Sequence, residues 1–166
     1  MPTAVETPLE STEGRSLSHP VILVPVLRAG LGMAEGFLRI IPEAIVAHIG
    51  LRRNEETLEP EVYYPNPLVN FPDSHTIILD PMLATGGSAI EAVRLLKEQG
   101  ASRLAFACVI AAPEGADALQ SAHPELPVFI AALDRGLNEK ATSVRGSGMP
   151  VTAHLAPYNP LHSGNT

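Results

Sequence analysis

Apolar residues fall in short unbroken runs separated by more polar segments. The runs are Val21–Val26, Ala44–Ile49, Thr76–Leu79, Arg103–Ile110 and Pro127–Ala132. Runs of this length suit strands buried on both faces. Between them, Met33–Ile41 and Ala89–Gln99 carry helical patterns, and Pro113 opens a third helix reaching about Ala122. In the second of these, Ile90, Val93 and Leu96 share one face with Ala89, Ala92 and Leu95. Arg94 and Glu98 pair one turn apart on the other face, and Gly100 stops the helix. Strand alternating with helix predicts an α/β fold, a Rossmann-like parallel sheet flanked by helices on both faces. Thr57–Tyr64 alternates enough to add a strand after the charged turn Gly50–Glu56, and Asn66–Ser74 is a Pro/Asn-rich connection. Met1–Pro20 is polar and rich in turn formers, which predicts an irregular or edge segment. Beyond Asp134 the pattern stops, and residues 140–166 read as a tail with frayed last residues.

Composition narrows the picture. The 166 residues are the length of one domain with a real core, here taken as 1–166. A net charge of −7 argues against a nonspecific nucleic-acid binder, which clusters Lys and Arg. A single cysteine, Cys108, sits in the apolar run F-A-C-V-I and predicts a core residue in a reducing compartment. No apolar stretch is long enough for a membrane span, and no signal peptide is visible, so a cytoplasmic protein without membrane partners is expected.

The candidate chemistry lies in Thr76–Ser88, T-I-I-L-D-P-M-L-A-T-G-G-S. An apolar strand runs into Asp80, where open α/β sheets bind ligands. Thr85-Gly86-Gly87-Ser88 then opens a helix whose N-terminal N–H groups favour an anion. The turn alone could be a tight connection with Ser88 as helix cap. The alternative is a cradle for a phosphate monoester, with Asp80 accepting from a sugar diol. Arg28 follows the first strand in L-R-A-G-L-G, and Arg53 follows the second, where a diphosphate could be reached. His48 could serve as a base, but a lone strand histidine is more often a satisfied core or interface residue.

The string D-P-M-L-A-T-G-G-S (80–88) resembles the phosphoribosyl-diphosphate loop of uracil phosphoribosyltransferases. So do V-P-V-L-R-A-G-L-G-M (24–33), H-I-G-L-R-R-N-E-E-T-L-E-P (48–60), A-A-P-E-G (111–115) and A-A-L-D-R-G-L-N-E (131–139), in the family's order. The resemblance implies the type I phosphoribosyltransferase fold with a reduced or incomplete hood. It also implies transfer of 5-phosphoribosyl from phosphoribosyl diphosphate to uracil, giving UMP and diphosphate. Arg28 and Arg53 would hold the diphosphate, Asp80 the ribose hydroxyls, and Pro81, Met82, Leu83, Ala84, Thr85, Gly86, Gly87 and Ser88 the loop around the 5′-phosphate. Asp80 and Arg28 would be the catalytic pair. Mg²⁺ would be held mainly through the substrate's own diphosphate, with no dedicated protein ligand. A homodimer or higher homo-oligomer, and GTP as an activator, are implied in the same way.

Two departures from the family pattern stand out. The family has further residues upstream that form helices, so a truncated gene, a fragment or an alternative start is expected. Its uracil segment reads like G-Y-I-V-P-G-L-G-D-A-G-D-R, whereas residues 141–153 are A-T-S-V-R-G-S-G-M-P-V-T-A. Ser143, Gly148, Met149 and Pro150 take the uracil positions, and Met149 also takes the place of an acid near the diphosphate. Pro150 has no N–H to donate and Met149 cannot accept as an acid would. The segment looks like a frameshifted or decayed tail. The rival expectation is therefore a catalytically impaired relative that binds phosphoribosyl diphosphate or nucleotide without turnover. An RNA-binding regulator is a third, disfavoured by the acidic balance.

Overall fold

Val21–Leu27 (β3) holds the middle of the molecule because every side chain in it is apolar and both its flanks are paired. The computed structural model describes residues 2–53, 60–64, 71 and 73–136. In chain order the described elements begin with β1 (Pro2–Glu6), β2 (Ser11–Arg15), β3, α1 (Leu31–Leu38), β4 (Ile45–Val46), β5 (Ile49–Arg53) and β6 (Pro60–Tyr64). They continue with β7 (His75–Leu79), β8 (Met82–Leu83), α2 (Gly87–Glu98), β9 (Arg103–Ala111), α3 (Pro113–Ala122) and β10 (Val128–Leu133). The main sheet has the order β10-β9-β7-β3-β5-β6, with β4 against β3 and β8 against β9. Strands β3, β7, β9 and β10 run parallel, in registers that pair Pro25 with Leu79 and Leu79 with Ala107.

Alternation along β3 explains why it must be apolar throughout. Val21 and Leu23 pack with Ala34 of α1 and with Leu79 and Ala107, backed by Met33 and Phe37. Ile22, Val24 and Val26 face the other way, into a larger core with Val93 and Leu96 of α2 and Leu119 of α3. Successive strand residues point to opposite faces, and here both faces are oil. Fully burying each of these Leu, Ile or Val side chains is worth on the order of 1.5–3 kcal/mol.

The expected fold class holds, with four local corrections. Within the segment expected to be irregular or an edge, Pro2–Arg15 is regular: β1 and β2 form an antiparallel hairpin pairing Pro2 with Arg15 and Glu6 with Ser11. Pro8 presets its turn, and the Thr7 hydroxyl donates to the Glu10 carbonyl at 2.7 Å and accepts from the Glu10 N–H at 3.1 Å. Ala44–Ile49 is not one buried strand. It breaks into β4 and β5, and Ile45 stays 46% exposed. Gly50–Arg53 belongs to β5 rather than to a charged turn, because β6 pairs it antiparallel, Arg53 opposite Pro60. The sheet is thus not wholly parallel, since β6 caps its edge as an antiparallel strand.

Coverage of the sheet is also uneven. The face under α1 buries Ala107 of β9 but leaves Val109 of β9 and Phe129 of β10 45% and 40% exposed. The smaller element ends agree with expectation to within a few residues, α1 closing at Leu38 three residues before Ile41.

Two glycines of the β3–α1 region separate sharply in what they tolerate. A Cβ on Gly30 would lie 2.4 Å from the Leu79 carbonyl oxygen, whereas one on Gly36 of α1 meets nothing within 4 Å. Gly36→Ala is therefore expected to stabilise the protein by up to about 1 kcal/mol, and Gly30→Ala to destabilise it by more than that. Urea midpoints of the two variants check the opposite signs.

Candidate functional site

The strand end at Leu79 is held open by its neighbour. Strand β9 continues past β7 by four residues, and its N–H groups need acceptors that β7 no longer supplies. The turn after Asp80 supplies them. The Pro81 carbonyl accepts from both Val109 and Ile110, at 3.2 and 3.0 Å. Met82 and Leu83 then pair with Ile110 and Ala111 as β8, and Leu83 accepts from the Ala112 N–H at 2.8 Å. The Asp80 N–H donates to the Ala107 carbonyl at 3.2 Å. The loop is thus laid along β9 by backbone bonds, which explains why apolar Met82 and Leu83 serve in it.

The chain next turns into α2 through Gly86, whose φ of +86° is left-handed and suits glycine alone among common residues. Gly86 is the residue before the helix, and no side chain caps it. Ser88 lies inside the first turn, so it is not the cap, and the simple capping account of Thr-Gly-Gly-Ser falls. The first N–H groups of a helix have no acceptor within it and carry the positive end of its dipole. Asp80 and Met82–Ala89 together line a small hollow open to solvent. The Thr85 side chain is exposed and that of Ser88 half-buried at its rim.

Asp80 is the charged group of this hollow. Burial pushes its carboxyl up to about 6, partly offset by the Met82 N–H, which donates to its Oδ1 at 3.3 Å. Burial, and then the Asp80 charge, push the neighbouring Cys108 thiol up to about 12. That places Cys108 beneath the acid as a neutral core residue.

Arg28 stands exposed just past β3, and the Leu27–Arg28 peptide is cis. The chain doubles back there, Gly30 N–H donating to Val26 at 2.9 Å and Leu31 N–H to Arg28 at 3.3 Å. Because Gly30 presses on the Leu79 carbonyl, the Arg28 loop and the strand carrying Asp80 are locked side by side. Arg53 ends β5, which runs parallel to β3, so its backbone leaves toward the same edge of the sheet. The structure thus assembles Asp80, Met82, Leu83, Ala84, Thr85, Gly86, Gly87 and Ser88 around one hollow, while Pro81 turns its carbonyl to β9 and does not line it, and Arg28 leaves the neighbouring strand at the same edge of the sheet. Ser143, Gly148, Met149 and Pro150 lie outside the described residues. His48 sits half-buried between β4 and β5, away from the lining.

Site features that residue-by-residue reading missed are the β9 backbone from Ala107 to Ile110 and the first turn of α3. Gly115 of that turn packs so closely that a Cβ there would lie 2.2 Å from the Ala84 carbonyl oxygen. A glycine in the first turn of an otherwise good helix was the available signal. Next to it, Glu114 packs on Gly136 just after β10, where a Cβ would come within 3.2 Å of its Oε1.

A parallel sheet with a helix N-terminus and an acid around a hollow at a strand end is the architecture of the phosphoribosyltransferases. The fold superposes on a purine phosphoribosyltransferase from Pyrococcus horikoshii with a TM-score of 0.53 at 22% identity, over 57% of this chain and 63% of that one, a likeness of fold alone. It superposes on the AQ2163 protein from Aquifex aeolicus with a TM-score of 0.81 at 35% identity, over 88% of this chain and 70% of that one. In sequence, the family described as uracil phosphoribosyltransferase matches residues 1–149. The uracil phosphoribosyltransferase of Salinibacter ruber is 49% identical over 146 residues, 88% of this chain and 70% of that protein. That of Mycoplasma capricolum is 45% identical over 144 residues, 87% of this chain and 70% of its own. The chain belongs to the uracil phosphoribosyltransferase family.

The raised Asp80 carboxyl has a consequence for stability. The folded state holds this proton more tightly than the unfolded chain, so stability is greatest below about pH 4 on this account and is lost as pH rises through about 6. Asp80→Asn is expected to raise stability at pH 8 by roughly 2–3 kcal/mol, the gain vanishing near pH 4. Urea denaturation of both proteins at the two pH values measures it. In the same folded protein, Cys108 is expected to resist thiol reagents at pH 8 and to react once the protein is unfolded in urea.

Proposed function

We propose that this protein transfers the 5-phosphoribosyl group from phosphoribosyl diphosphate to uracil, forming UMP and diphosphate. The observation that carries the reading is the hollow itself: a helix N-terminus and a half-buried acid, built from the string D-P-M-L-A-T-G-G-S. Membership of the family and 49% identity to a named relative support it.

In this reading the 5′-phosphate rests on the Ala84–Ser88 turn, where N–H groups and the Thr85 and Ser88 hydroxyls donate to it. Asp80, ionised, accepts from the ribose hydroxyls and fixes the sugar's rotation. Arg28, with Arg53, carries the diphosphate end. A nitrogen of uracil bonds to ribose C1 as the C1–oxygen bond to diphosphate breaks, and the proton of that nitrogen leaves to solvent or diphosphate. The sugar is cation-like at the crossing point, so the chain's work is to position the partners and stabilise charge. The nearby Asp80 carboxylate favours that positive charge.

Among the described residues no three His, Cys, Asp or Glu side chains cluster as a metal cage. A lone carboxylate beside hydroxyls suits a Mg²⁺ that keeps water and substrate oxygens as most of its ligands. Such an ion would neutralise the leaving diphosphate, and among the described residues Asp80 is the one that would face it. The base is assigned to Ser143, Gly148, Met149 and Pro150, with Met149 also near the diphosphate. A cytoplasmic homodimer or higher oligomer activated by GTP is the further reading that the family suggests. No helix among the described residues is long and apolar enough to cross a membrane.

The decisive test is calorimetric titration with phosphoribosyl diphosphate and Mg²⁺, then uracil, with UMP assayed in the cell. Heat from both additions and UMP formation are expected. Heat from the first alone, without UMP, would overturn the transferase reading in favour of a binding protein. Arg28→Ala is expected to weaken phosphoribosyl-diphosphate binding about tenfold or more, as loss of a charge-assisted contact does. Binding should also weaken as pH falls below about 6, because a protonated Asp80 no longer accepts freely. Asp80→Asn should bind weakly at every pH and lose that dependence, which affinities measured from pH 5 to 8 would reveal.

A further inference from the structure

We propose that Gly115, in the first turn of α3, is a positioning residue for the 5′-phosphate turn, acting by letting backbone touch backbone. The proposal rests on the phosphoribosyl-transfer reading of the Ala84–Ser88 hollow.

The contact has no slack on either side. A Cβ at Gly115 would lie 2.2 Å from the Ala84 oxygen, 2.8 Å from the Ala84 carbonyl carbon and 3.0 Å from the Leu83 oxygen, all backbone atoms. Across the same seam, a Cβ at left-handed Gly86 would meet the Gly115 oxygen at 3.0 Å and the Ala118 Cβ at 3.3 Å. Two glycines therefore face each other, and the turn lies flat on the helix.

If a methyl group is added at 115, one partner must retreat. Helix α3 cannot, because Ala116 and Leu119 are fully buried in the main core and Ala112 is bonded to Leu83 at 2.8 Å. Leu83 is itself paired to β9. The segment left to move is Ala84–Gly86, which lines the hollow. A displacement approaching 1 Å in a positioned group can cost up to about 10²-fold in function. Gly115 never touches the ligand in this account. It sets where the N–H groups of the turn stand.

The test compares two probes in wild type and Gly115→Ala. Ribose 5-phosphate reports on the turn, and magnesium diphosphate reports on the Arg28 end of the site. Gly36→Ala, a helix glycine in open space, is the control for the substitution itself. Gly115→Ala is expected to lose at least about tenfold in ribose 5-phosphate affinity while keeping its diphosphate affinity within about twofold. Its KM for phosphoribosyl diphosphate should rise more than its kcat falls. Unchanged affinity for both probes would overturn the proposal, and so would equal loss of both, which marks a general packing role. Failure of wild type to bind ribose 5-phosphate would instead sink the underlying reading of the hollow, and the proposal with it.

Discussion

Close approach of backbone to backbone is the constraint on which this site depends. Gly30 lies on the Leu79 carbonyl, and Gly115 lies on the Ala84 carbonyl, each at a distance no side chain permits. The first contact locks the Arg28 loop to the strand that delivers Asp80. The second locks the Ala84–Ser88 turn to α3. Between them runs β9, whose overhanging N–H groups hold the Pro81 carbonyl and whose Leu83-paired end carries the chain into α3. Hydrogen bonds of this kind are individually modest, about 1 kcal/mol net each, but leaving the buried donors unpaired would cost more. The loop is ordered because β9 requires a partner.

The same packing sets the electrostatics. Asp80 sits over Cys108 and the buried end of β9, where water is scarce and a carboxylate is poorly solvated. In the proposed reading, a sugar diol and a cation-like sugar would replace that missing solvation. The site thus carries an electrostatic cost at Asp80, and the fold supplies the stability to bear it from the two apolar faces of β3.

Much of this was legible in the sequence because the relevant signals are local. Apolar runs mark β3, β7, β9 and β10, and Asp80-to-Ser88 announces its turn by glycine and its acid by position at a strand end. The β1–β2 hairpin was not legible, since strands such as S-T-E-G-R carry no apolar face and are specified by the Pro8 turn instead. The β4–β5 break and the antiparallel β6 depend on which neighbour each segment pairs with, and pairing is not written in any one segment. Gly115 hid for a related reason. Its role is defined by Ala84, thirty-one residues away in the chain and in contact only after folding.

Register in the central strands has a consequence of a different kind. Pro25 pairs with Leu79, and Leu79 pairs with Ala107, so Arg28 and Asp80 stand at fixed counts beyond a common line across the sheet. Side chains alternate along a strand, and a slip of one residue would turn Asp80 from the hollow into the opposite layer. Distances within the site therefore vary in whole residues rather than by gradual drift. Substitutions can accumulate in the helices and outer loops while the spacing of charges stays the same, but a single inserted or deleted residue within β3 or β7 cannot be absorbed by degrees. The sheet keeps its active geometry by counting.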